Sequence, residues 1–251
     1  MGTSQSSPGP GGGSPLVPPW ADDQPQVPLP SSPSSRFQPF RRSFGEFVRT
    51  SNQSALKSAL GHYARKGTGG SDTATRRLGN TTKAGAALYS ALASGRGTGA
   101  GDLVLDVGSL TGMPCEQAID TITQSLTPIG GDSDKIRIAL KHALVEALDG
   151  VSIFDPTSIT DEIIVNTMIA YMAESIFLQV VQDAGKAWIK AETPSQSIAA
   201  ENSLMELIKV EVDLYMAPLF SENMRTLTNS QIINLQRSVI SAVWSEWESY
   251  L

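Results

Sequence analysis

The chain has 251 residues, with 19 Lys and Arg against 25 Asp and Glu, a net charge of −6, two histidines and one cysteine. A lone cysteine, Cys115, excludes an internal disulfide framework and a cysteine-built zinc cluster, and fits a reducing, cytoplasmic setting. No run reaches the roughly 18 uncharged apolar residues of a membrane-spanning helix, and no basic region followed by an apolar one opens the chain, so neither a span nor a secretory signal is expected.

Ten of the 15 prolines lie between Pro8 and Pro39, and residues 1–35 carry only two charges, Asp22 and Asp23. A stretch so rich in Ser, Gly and Pro buries little apolar surface against its ordering entropy, so residues 1–36 read as a disordered or extended tail. Residues 36–96 hold eleven Lys and Arg against two acids, and residues 97–251 hold eight against 21. The body, 37–251, is therefore expected to combine a basic lobe (37–96) with an acidic helical part (97–251). The basic lobe then faces an acidic partner or an acidic surface of the same chain.

Past the tail the apolar period is helical. Ala55, Leu56, Ala59, Leu60 and Tyr63 predict a helix over 51–66, ended by the Gly67–Gly70 run. Leu78, Thr82, Ala86, Leu88, Tyr89 and Leu92 predict one helix over 73–94, in which Gly79 and Gly85 lower the propensity or allow close helix contact. The piece 103–110 is too short to assign to helix or strand. Further helices are expected over 114–126, 134–149, 161–190, 197–216 and 229–250, from Pro114, Asp132 or Ser133, Asp161, Pro218 and Asn229 as boundary signals. No segment sustains strand alternation. The expected fold is all-α, a single helical-bundle-like domain preceded by the tail.

The motifs that suggest chemistry have plain structural readings. Gly95-Arg96-Gly97-Thr98-Gly99-Ala100 fits G-x-G-x-x-A but follows a helix, whereas a dinucleotide loop must follow a strand. Lys66-Gly67-Thr68-Gly69-Gly70-Ser71 lacks the Gly-Lys-Ser/Thr ending of a phosphate loop and reads as a helix stop. His62 and His142 lie in separate helices without a second ligand at metal spacing, and Cys115 has no activating histidine nearby in sequence. Asp161/Glu162 suit a helix amino terminus and Glu246/Glu248 a solvated face. No catalytic constellation emerges, no metal site is expected, and the chain reads as a non-enzyme.

Two features point to binding. Arg41, Arg42, Arg49, Lys57, Arg65, Lys66, Arg76, Arg77 and Lys83 alternate with Phe37, Phe40, Phe44, Phe47 and Tyr63. Such a stripe can neutralise phosphates and stack bases, so a nucleic-acid-binding adaptor using 36–96 is the alternative function, although the acidic overall balance disfavours it. Arg41, Arg42, Arg65, Arg76 and Arg77 equally form a candidate docking surface for an acidic protein. At the other feature, Gly2 follows Met1, and so small a second residue favours methionine removal. The freed glycine amine, with a pKa of about 7.7–8.0, is nucleophilic near neutral pH. Gly2-Thr3-Ser4-Gln5-Ser6 also fits the myristoylation pattern, without the second signal that stable membrane anchoring needs. Pro15-Leu16-Val17-Pro18-Pro19-Trp20 places apolar groups in the polar tail, as an extended docking element would.

The opening MGTSQSSPGPGGGSPLVPPWAD, the stretch RFQPFRRSFGEFV and the segment ALGHYARKGTGGSDTATRRLGNTTKAGAALYSAL resemble the QatB family, the small component of the four-gene Qat bacterial antiphage defence system. The resemblance is specific over about residues 1–92. It implies operation alongside an ATPase (QatA), a QueC-like enzyme (QatC) and a TatD-like nuclease (QatD). It also implies that the QueC-like enzyme, using ATP, links a 7-deazaguanine to the Gly2 amine. Thr3 and Ser4 would then be recognition residues and Pro15, Leu16, Val17, Pro18, Pro19 and Trp20 a partner-docking element. The chain itself would bind no cofactor and no membrane, and an extended tail of about 35 residues would reach on the order of 100 Å.

Overall fold

A computed structural model describes residues 9–11, 13–22, 24–99, 104–220 and 224–251. Nine helices account for most of them: α1 (Gln38–Thr50), α2 (Gln53–His62), α3 (Ser71–Arg77), α4 (Gly79–Ser94), α5 (Cys115–Leu126), α6 (Ser133–Ala147), α7 (Asp161–Ala184), α8 (Pro194–Met216) and α9 (Asn229–Ser249). Two three-residue strands, β1 (Arg96–Thr98) and β2 (Val104–Asp106), pair antiparallel with Gly97 opposite Leu105. The fold is all-α, as the periodicity predicts.

The chain divides into two compact units. The first takes the chain up to Leu78 with Ile176–Glu211 and Ile240–Leu251, and the second takes Gly79–Ser175 with Val212–Val239. These units do not coincide with the 37–96 and 97–251 lobes read from charge, because α7, α8 and α9 each contribute residues to both.

In the first unit α1 sets Phe40, Phe44, Phe47 and Val48 along one stripe, all fully buried, and leaves Arg42, Glu46 and Arg49 exposed. Phe44 meets Trp188 edge-on at 4.9 Å between ring centroids, and Phe40 lies 4.8 Å from Tyr63. The aromatic residues read as possible base-stacking groups are thus core residues: Phe37 is 3 % exposed and Tyr63 is fully buried. Helix α2 starts at Asn52, whose side chain accepts from the Ser54 N–H, and widens into a π turn over Tyr63–Gly67. Gly69 and Gly70, at φ 81° and 97°, then turn the chain into α3.

The single helix expected over 73–94 is two. Helix α3 closes at Leu78, whose side chain is buried and whose ψ of 18° leaves the helical range, and α4 restarts at Gly79, a residue that opposes helix continuation. Within the second unit Gly85 does allow the anticipated close contact. A methyl group there would lie 2.1 Å from Gln236 Oε1 and 2.8 Å from Tyr171 Cε1. The undecided 103–110 piece contains both states, β2 and then a 3-10 turn over Val107–Leu110. The Gly95–Gly99 string belongs to the hairpin, where Gly97 lets β1 approach α4 and α5 closely.

The stretch Asp161–Lys190 is long and apolar enough to cross a membrane by length and composition, and 72 % of its most apolar window is buried within the protein. It behaves as a core helix, ending in a 3-10 turn over Gly185–Lys190.

Candidate functional site

Residues 9–11, 13–22 and 24–37 are the described part of the amino-terminal leader, and they contain neither helix nor strand. The disordered or extended tail expected there is not what the described residues form: they run through successive turns, with the Ser14, Ala21, Val27 and Arg36 N–H groups donating to the Gly11, Pro18, Gln24 and Pro33 carbonyls, and they pack into the first unit. Leu16, Val17 and Ala21 are 3 %, 2 % and 2 % exposed. Leu16 fits against Gly69, where an added methyl group would come within 3.1 Å of its Cδ1. Burying two aliphatic side chains contributes about 3–5 kcal/mol against the entropy of ordering the chain around them.

Three arginines hold the leader's polar groups. Arg41 donates from Nη2 to the Pro10 carbonyl (2.9 Å), and from Nε to the Asp183 carbonyl (2.9 Å) near the end of α7. Arg36, 1 % exposed, donates to the Pro15 carbonyl (3.1 Å) and to Ser32 Oγ (2.8 Å), with its guanidinium 4.7 Å from the Phe37 ring centroid. Arg76 grips Asp22 with two bonds, 3.0 Å and 2.7 Å, and adds a third to the Gln24 carbonyl at 2.9 Å. A planar guanidinium suits this work because it offers several donors in a fixed fork. The Arg76 bonds hold the Asp22 carboxyl below its usual pKa against the opposing effect of desolvation. Burial lowers the Arg36 and Arg41 values, which remain those of cations near neutral pH.

Beneath the leader lies a buried polar centre that sequence reasoning missed. The fully buried Asp183 carboxylate accepts from Tyr63 OH (2.9 Å), Arg77 Nη2 (3.0 Å) and Gln179 Nε2 (3.1 Å). Burial, then the Asp183 charge, drives the Tyr63 phenol well above its ordinary pKa. The available signal was an aspartate late in an otherwise apolar helix, with arginines far away in sequence to answer it.

The predicted docking residues therefore occupy different places. Leu16 and Val17 are buried in the chain's own body, whereas Pro15, Pro19 and Trp20 are exposed and Pro18 is half-buried. Of the five arginines, Arg76 and Arg77 are ion-paired to Asp22 and Asp183, and Arg41 is half-buried under the leader. Arg65 holds the carbonyl oxygens of Glu248 and Leu251, and Arg42 is exposed. The basic segment thus spends much of its charge within the chain. Gly2, Thr3 and Ser4 lie outside the described residues.

Nothing resembling a metal centre forms among the described residues: no three His, Cys, Asp or Glu side chains converge. His62 belongs to the first unit, where burial and the nearby Lys66 and Arg65 lower its pKa. His142 belongs to the second, its Nδ1 3.4 Å from Glu174 Oε1. Cys115 is buried, which raises its thiol pKa and opposes nucleophilic use.

The family model described as Qat anti-phage system associated protein QatB matches residues 69–247. Comparisons with curated proteins and with solved structures return no match.

Proposed function

Because the chain belongs to the QatB family, and so is a component of the Qat anti-phage system, we propose that it serves there as protein substrate and scaffold rather than as a catalyst. Its Gly2 amine, freed by removal of Met1, is acylated with a 7-deazaguanine by the QueC-like partner, QatC. The partner uses ATP to turn the carboxylate of 7-carboxy-7-deazaguanine into an acyl adenylate, the carboxylate oxygen attacking the α-phosphorus and pyrophosphate leaving. The neutral amine attacks the acyl carbon, the N–C bond forms, the bond to AMP breaks, and the amine's proton passes to solvent or a partner base. This chain need supply only an unprotonated, unhindered nitrogen, and the terminal amine's low pKa provides it near neutral pH.

The observation that carries the reading is the seating of the leader. Arg36, Arg41 and Arg76, with buried Leu16 and Val17, fix the chain from Gly9 onward, so that a terminus seven residues upstream is offered from a defined place. The 100 Å reach expected of a wholly free tail is replaced by a short one. A nucleic-acid adaptor draws less support, since the aromatic residues are core and four of the five candidate arginines are held within the chain.

Coexpression with the QueC-like partner, followed by intact-mass and amino-terminal peptide spectrometry, tests the proposal. The expected result is one deazaguanine adduct on Gly2, absent from Gly2→Leu, which retains Met1, with the melting temperature unchanged. An unmodified Gly2 beside a demonstrably active partner overturns it.

A further inference from the structure

We propose that the modifying enzyme docks, through an acidic surface, on the basic face of the first unit around Gly9, formed by the start of α1 and the junction of α7 with the Gly185–Lys190 turn. This rests on the reading of Gly2 above, and deepens it by naming where the partner sits.

Covalent geometry supplies the first step. Gly2 is seven residues from Gly9, and a fully extended chain gains at most about 3.6 Å per residue, so the Gly2 nitrogen lies within about 25 Å of Gly9. Gly9 itself is fixed. It has φ 69°, and a methyl group there would fall 2.5 Å from Arg41 Nη2, 3.1 Å from the Gln182 carbonyl and 3.2 Å from Gly185 Cα. An enzyme that receives the amine in a recessed active site must therefore bring its mouth close to this place.

Charge supplies the second step. Arg42 follows Arg41 on α1, Lys186 follows Gly185, and Lys190 lies further along the same turn with its stem against Gly45. All three are exposed, and none has a hydrogen-bond or ion-pair partner among the described residues. Glu46 is the acid exposed on α1, while Asp183, the acid at the end of α7, is fully buried and paired with Arg77. Arg41 is occupied by the leader and by α7, but Arg42, Lys186 and Lys190 have no such task. A face with surplus unpaired cations beside the delivered nucleophile matches an acidic rim, which would steer encounter more than it would add final affinity. Nucleic acid fits the same charge, but the rings that would stack its bases are in the core.

The test measures association of the full chain with the QueC-like enzyme by stopped flow at about 50 mM and 500 mM salt, together with adduct yield. Arg42→Glu/Lys186→Glu is expected to slow association about tenfold at low salt and much less at high salt. The charge-matched Lys83→Glu/Arg96→Glu pair, exposed in the second unit, should change it little. Arg42→Gln/Lys186→Gln gives the milder form should the reversal disturb folding. Deleting residues 5–8 leaves Gly2 about 11 Å from Gly9 at most, and should abolish the adduct while association persists. Equal effects from both reversals, no effect from either, or full modification of the deletion variant overturns the proposal. So does a loss confined to single-stranded or duplex DNA binding. A wild-type chain that associates through this face yet gains no adduct overturns the function proposed for Gly2 and leaves the docking face standing. A normal adduct with indifferent Arg42 and Lys186 does the reverse.

Discussion

The first unit is the richer in buried rings and charges, the second in aliphatic and small residues. Phe40, Phe44, Phe47, Tyr63, Trp188, Trp244 and Trp247 are buried in the first, with Arg36, Arg76, Arg77 and Asp183 among them. The second buries fewer rings, Tyr89, Phe154 and Tyr171, among many Ile, Leu and Ala residues, with Gly85 and Gly97 bringing elements into close approach. Burying charge costs free energy that hydrocarbon packing avoids, so buried ion pairs are weak evidence of stability. Their use where the leader binds has another reason. A proline-rich segment outside helix and sheet presents carbonyls that no regular ladder satisfies, and arginine forks satisfy them at Pro10, Pro15 and Gln24.

Arg77→Ala should separate the two units most sharply. It leaves the Asp183 carboxylate buried without its cation, and should cost about 3–5 kcal/mol in urea unfolding. Hydrogen exchange should rise first in α1, α3 and the leader. A loss below about 1 kcal/mol would mean that Tyr63 and Gln179 alone stabilise Asp183, and that the charge contrast is unimportant.

Gly85→Ala tests the opposite vulnerability. The added methyl group meets Gln236 and Tyr171, and Gln236 is fully buried, with its Nε2 donating to the Thr82 carbonyl at 2.9 Å. Overpacking of this kind should cost about 1–3 kcal/mol, partly offset by alanine's better helix propensity. The measurement is again urea unfolding, with exchange rising in α4 and the 229–239 part of α9. A neutral or stabilising result would show that Gln236 moves aside, and that the second unit is packed less tightly than its distances indicate.

The sequence displayed these two styles unequally. Periodicity located α2 and α4 through α9 because their apolar residues return every three or four positions, and for Gly85 it left two readings, a weak point in the helix or a close contact, of which the close contact is present. The break at Leu78 was not legible, since a buried leucine continues the stripe on either side of it. Nor was α1 read as a helix. Its arginines and phenylalanines are segregated only when wound at 100° per residue, and in linear order they resemble a nucleic-acid stripe. The leader shows the same limit at longer range. Leu16-Val17 was read as a partner-docking element, whereas both side chains are buried within the chain itself, and composition cannot reveal that Leu16 sits at Gly69 or that Asp22 is answered by Arg76, 54 residues later. The family model's match begins at 69, beyond the leader, α1 and α2; the Gly2 reading therefore rests on the resemblance of residues 1–92 and on the chemistry of a free glycine amine.

A smaller effect distinguishes the units by pH. In the first unit the Glu211 carboxyl accepts from Trp247 Nε1 and from Tyr250 OH, both at 2.5 Å, and burial pushes its pKa up to about 7 despite these bonds. Nearby Glu246 adds to the rise and Lys57 opposes it. An acid whose folded pKa exceeds its unfolded value of about 4.3 binds more protons when folded, so stability falls as pH climbs between those two values and is level above them. The loss between pH 5 and 7.5 should be on the order of 1 kcal/mol after allowance for solvent screening. Glu211→Gln retains an acceptor for both donors but does not titrate, so its urea midpoint should fall less over that range than the wild type's. In the second unit Glu174 is also raised by burial, while His142 beside it pulls the other way, so a residual slope should survive in the variant. Parallel curves for wild type and variant would remove Glu211 as the source of the pH response.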